Sequence, residues 1–147
     1  MTLLLVAEAP PAALDRYFYF EDVRTHDSLF RYVARTILKD EPTRQDKAEL
    51  LSRLRDRGVF LIDLKQDPVD GGSLVAEVPG LIRRVRRLSP EKIIVIKSSV
   101  FDVVRDALLN AGLPLVDERV PFPGSGHQRR FETSFARALR RKPRRPR

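Results

Sequence analysis

The chain has 147 residues, 42% of them apolar and 33% charged, which suits one cored domain rather than two domains or a chain disordered throughout. It has no cysteine and only two histidines, so disulfides, thiolate metal sites and cysteine nucleophiles are excluded and a histidine-rich metal site is not expected. The net charge of +8 is gathered at one end: residues 129–147 hold nine basic residues and a single acid, Glu132, while the rest of the chain is balanced. In chain order, the apolar run Thr2–Ala7 reads as a buried strand, stopped by Pro10 and Pro11. Asp27 stands where a helix N-cap belongs, with Leu29, Phe30, Val33 and Ile37 behind it at helical spacing. Thr43 opens a second helix, which Gly58 ends. Val59–Leu64 is a second buried strand, interrupted by Asp63, and the turn-rich residues 65–73 form a loop.

Val78, Leu81, Ile82, Val85 and Leu88 mark a third helix, and Lys92–Lys97 a third strand. Ser98 or Ser99 is placed to cap a fourth helix, closed by Gly112, and Leu113–Val116 is a fourth strand. Phe131, Phe135 and Leu139 define a final helix, followed by a basic tail, residues 142–147, whose prolines favour disorder. The expected domain is therefore 1–141: a three-layer α/β/α fold around a four-stranded parallel sheet, because strands that alternate with helices and are apolar throughout are covered on both faces. Right-handed crossovers place every strand-to-helix junction along one edge of such a sheet, where ligands bind near a topological switch point.

The residues expected at that edge are Glu8 after the first strand, the aromatic stretch Tyr17–Phe20, Asp63 and Lys65 after the second strand, Lys97 and Ser98 after the third, and the loop Pro121–Gln128 leading to Arg129 and Arg130. A carboxylate inside an apolar strand must be paired or must face a crevice, which singles out Asp63. Gly124, Ser125 and Gly126 can present backbone N–H groups at a helix N-terminus, a seat for phosphate, although neither a Walker A sequence nor G-x-G-x-x-G is present. His127 has three readings: general acid, phosphate ligand or surface residue. The arginines at 83, 84, 86 and 87 read as the solvated face of the third helix.

Several segments together resemble the uracil-DNA glycosylase superfamily. AEAPP at Ala7–Pro11 is similar to its opening GEAPG motif, VFLIDL at 59–64 to the strand bearing its base-reading residue, and SPEKIIVIKSSVFDVV at Ser89–Val104 to its third strand and following helix. PFPGSGHQRRF at Pro121–Phe131 sits where the family has its phosphate-contacting loop. The resemblance implies Asp63 as base reader, Tyr19 or Phe20 as stacking ring, Asp15 or Glu8 as the acid that aligns water, and the 124–126 backbone with Arg129 or Arg130 as phosphate holders. The chain departs from the family at Ala7, where the motif has Gly, and in lacking both the second motif's histidine and the cysteines of an iron–sulfur branch.

Three functions compete: a base-excision enzyme, which flips and stacks a base; a non-catalytic nucleotide or nucleic-acid binding module on the same fold; and a small-molecule enzyme with Glu8 and Asp63 as acid and base. The expected partner is DNA or a nucleotide, with no metal or other cofactor. No run approaches ~18 apolar residues, so no membrane partner is expected. The apolar start lacks a basic n-region and is short for a signal peptide. A cytoplasmic, monomeric protein is the expectation.

Overall fold

The computed structural model describes residues 1–11, 18–19, 28–40, 47–66, 72–124 and 126–144. Among these residues, nine elements run in the order β1 (Leu3–Ala7), α1 (Ser28–Leu38), α2 (Lys47–Asp56), β2 (Val59–Asp63), a 3-10 turn (Val75–Glu77), α3 (Val78–Leu88), β3 (Ile93–Val95), α4 (Ser98–Asn110) and α5 (Gln128–Arg140). The expected caps Asp27 and Thr43 lie outside the described residues.

The sheet is parallel, in the order β2-β1-β3, with Leu3 opposite Val59, Ala7 opposite Asp63 and Leu5 opposite Ile94. β1 is central and buried along its whole length, which is why it carries no polar residue. Its alternate side chains feed two cores. Leu3, Leu5 and Ala7 face a layer that includes Phe30 and Val33 of α1, Leu50 and Leu54 of α2, and Phe131 and Phe135 of α5. Leu4 and Val6 face the other, with Leu81 and Val85 of α3 and Val100, Val104 and Leu108 of α4. Strand alternation therefore produces the three layers.

The expected fourth strand is corrected: among the described residues the sheet has three strands. Leu113–Val116 follows the edge of β3 but meets it only at isolated bridges, Ile93 with Leu115 and, further on, Ile96 with Val120. The sequence is apolar enough for a strand, yet Pro114 has no N–H to give a ladder. Between the bridges the backbone folds on itself, with Leu115 N bonded to Leu113 O at 2.8 Å and Glu118 N to Val116 O at 2.9 Å, so residues 117–119 leave the edge. Among the described residues, the two outer flanks are each met by one residue. Tyr19 Oη donates to Leu61 O at 2.8 Å and accepts from Leu61 N at 2.6 Å on the β2 side, and Arg144 N donates to Leu115 O at 2.8 Å on the other.

The segment 117–118 that leaves the edge anchors α5. The Glu118 carboxylate, 11% exposed, accepts from Arg137 at 2.9 Å and Arg141 at 2.6 Å. Asp117 holds Arg105 through two 2.8 Å bonds and Arg144 at 3.0 Å, and these hydrogen bonds, Arg105 first, keep its carboxyl below the usual carboxylate range. The basic tail is thus tied to the body as far as Arg144. Glu118→Ala is expected to lower unfolding free energy by about 1–2 kcal/mol in a urea titration, less than a fully buried pair would cost because both arginines are half-exposed and rehydrate. A change inside the scatter of the titration would mean that α5 docks without help from the Glu118 ion pairs.

Candidate functional site

The strand order places the topological switch between β1 and β3: the chain leaves β1 for β2, then crosses back over β1 to β3. At the carboxyl ends of β1 and β3 stand Glu8 and Lys97, and their side chains span the gap with a 2.7 Å ion pair. Lys97 has φ +91° and ψ 120°, a conformation that few residues other than glycine adopt. Its N–H is held by Val120 O at 2.8 Å, and its carbonyl accepts the first helical bonds of α4 from Val100 and Phe101. The strained residue therefore joins strand, helix and loop at one point. It also occupies the N-cap expected of a serine; Ser98 is instead the first residue of α4, and no side chain caps the helix.

Beside this junction opens a groove of about 660 Å³. Ser98, Pro121 and Gly126 form one part of its lining, and Arg119, Arg129, Arg130, Thr133 and Ser134 the rest. Among the described residues the lining holds three arginines and no acid. Arg119 is engaged by Asp102 through bonds of 3.0 and 2.8 Å, and that hydrogen bonding holds the Asp102 carboxyl low. Arg129 and Arg130 are exposed, and among the described residues neither side chain has a hydrogen bond or ion pair. Both sit in the first turn of α5, whose N-cap, His127, gives no side-chain cap. Two cations at the positive end of a helix dipole are unfavourable unless an anion joins them. The helical repeat aligns them with Thr133 and Ser134, four residues on.

Of the expected site residues, the groove gathers Ser98, Gly126, Arg129 and Arg130, with Gly124 and His127 in the loop that enters α5. Asp15, Phe20 and Ser125 lie outside the described residues. Tyr19 stands at the β2 flank, lining a separate hollow of about 190 Å³ with Leu51, Leu54 and Phe60. Asp63 ends β2, at the same end of the sheet as Glu8 but with β1 between it and β3. Burial pushes its carboxyl up to about 6 against the pull of Arg84, and among the described residues no hydrogen bond reaches that carboxylate. The Arg84 guanidinium, expected on a solvated face, instead turns inward and binds the carbonyls of Asp63 at 2.8 Å and Leu64 at 3.0 Å. Of the two acids of the small-molecule reading, Glu8 pairs with Lys97 and Asp63 lies beside Arg84.

Arg119, Thr133 and Ser134 are lining residues that sequence reasoning missed. The last two were accessible through their helical spacing from Arg129 and Arg130; Arg119, inside an irregular stretch, carried no such signal. Among the described residues, no group of three or more His, Cys, Asp or Glu could hold a metal ion, and no helix is long and apolar enough to cross a membrane. No family model, no curated protein and no solved structure matches this chain, and among the described residues the sheet has three strands where the alternation of strands and helices implied four, so nothing supports a uracil-DNA glycosylase-like hydrolase of DNA repair.

Proposed function

We propose that this domain is a non-catalytic module that binds nucleic acid or nucleotides through their phosphates, seated in the groove between the start of α4 and the first turns of α5. The observation that carries the reading is the pair Arg129 and Arg130, exposed in that groove and without an acidic partner among the described residues. A phosphate there would accept hydrogen bonds from guanidinium groups and from the hydroxyls of Ser98, Thr133 or Ser134 while meeting the positive end of the α5 dipole. Both arginines belong to the segment 129–147, which holds the chain's net charge.

The test is a salt titration of binding to a fluorescent oligonucleotide, wild type against Arg129→Glu/Arg130→Glu. The double variant is expected to bind more weakly and to flatten the plot of log K against log salt by about 0.7–0.9 for each phosphate it no longer neutralises. An unchanged slope would place the phosphate-binding cations elsewhere and end this reading of the groove.

A further inference from the structure

The loop that forms the groove's rim carries a large apolar ring turned to solvent. Phe122 is 40% exposed and belongs to neither core. Its neighbours behave oppositely: Pro123 is buried, and Pro121 lines the groove. The two prolines fix their own φ angles on either side of the ring. Gly124 N then bonds Phe122 O at 2.8 Å, and His127 N bonds Gly124 O at 3.0 Å, which pins the loop to the start of α5. A Cβ on Gly124 would stand 3.4 Å from Phe122 Cδ1, so the ring lies close over a backbone that has no side chain in the way. Among the described residues, Phe122 has no aromatic or cationic partner of its own. The ring is thus apolar and open, one residue along the chain from the Pro121 that lines the groove with the exposed Arg129 and Arg130.

We propose that Phe122 is a stacking platform for an unpaired nucleobase, and that the groove's preferred ligand is single-stranded nucleic acid, an inference that rests on the phosphate-binding reading above. Aromatic rings beside a cationic track are the physical basis of single-strand binding, because every base has a π-face and a duplex keeps those faces covered. Prolines on both sides limit the backbone freedom that the loop loses when a base settles on the ring.

Fluorescence anisotropy with three probes separates the contributions: an oligothymidylate, a duplex of the same length, and inorganic polyphosphate, which has charge but no base. Wild type is expected to bind the single strand more tightly than the duplex. Phe122→Ala should weaken oligothymidylate binding by about 5- to 100-fold, leave polyphosphate binding unchanged and keep the salt slope, since stacking releases no counterions. Phe122→Trp should restore the affinity; Phe122→Leu, which keeps apolar bulk without a π-face, should not. Equal loss for oligothymidylate and polyphosphate, recovery in Phe122→Leu, or a duplex bound as tightly as the single strand would overturn the stacking role. If Arg129→Glu/Arg130→Glu abolishes polyphosphate binding while Phe122→Ala has no effect on any probe, stacking fails and the phosphate-binding reading stands. A wild-type protein that binds none of the three overturns both.

Discussion

Gly58→Ala is expected to lower the unfolding free energy by about 2–5 kcal/mol, a cost assembled from left-handed strain and overpacking. Gly58 sits at φ +76°, between α2 and β2, and an added Cβ would come within 2.6 Å of Thr2 Oγ1 and 2.9 Å of Thr2 N. The first contact is with a side chain that can turn away; the second is with backbone and cannot be relieved so cheaply. Gly58 O accepts the N–H groups of both Thr2 and Leu3 at 3.0 Å, so the turn that Ala would distort is also the one that sets the register of β1 on β2. Gly126→Ala provides the control: its φ is +79°, but nothing lies within 4 Å of the added carbon, leaving the strain of about 1–2 kcal/mol alone. Urea titrations of the two variants should differ by the packing contribution. Equal losses would show that the Thr2 contact relaxes freely.

The second large effect is pH-dependent. Asp63 has its carboxyl pushed by burial from 3.8 to about 6, so between these values the folded chain binds more protons than the unfolded one. Stability must then fall as pH rises through that window, the reverse of an ion-paired carboxylate. Above it, the buried charge costs the fold about 3 kcal/mol. Asp63→Asn removes that cost, so the variant should be more stable than wild type by about this amount near pH 7 and equal to it below about pH 4. Paired denaturant titrations across this range decide the matter. A variant less stable than wild type at neutral pH would mean that the carboxylate is held by bonds the amide cannot replace.

Much of the architecture was written in local chemistry. The unbroken apolar run of β1 announced a strand buried on both faces, and the spacing of Phe131 and Phe135 announced the inward face of α5. The fourth strand misled because apolarity and ladder-forming capacity are separate properties: Leu113, Leu115 and Val116 have the first, and Pro114 lacks the second. The site was legible in part for a different reason. That β1, β2 and β3 end along one edge follows from handedness, but their lateral order does not, and it is the order β2-β1-β3 that leaves Asp63 beside Arg84 and the arginine groove on the far side of β1. Lys97 gave no sign of its φ of +91°, because the forces that hold it, from Val120 and Glu8, come from residues distant in the chain.

The two flanks of the sheet have a consequence for how copies of this chain meet one another. An edge strand exposes a row of peptide groups that can template pairing with another molecule, the first step toward swapped dimers and fibrils. On β2 that row is interrupted at Leu61, where the phenol of Tyr19 fills both bonding positions as a neighbouring strand would. On the opposite side Arg144 takes the carbonyl of Leu115. Among the described residues each stopper is a single residue delivered from far along the chain. Among the described residues the protection against edge-to-edge aggregation is therefore local, and cleavage of the chain just before Arg144 would free the carbonyl of Leu115 on one flank.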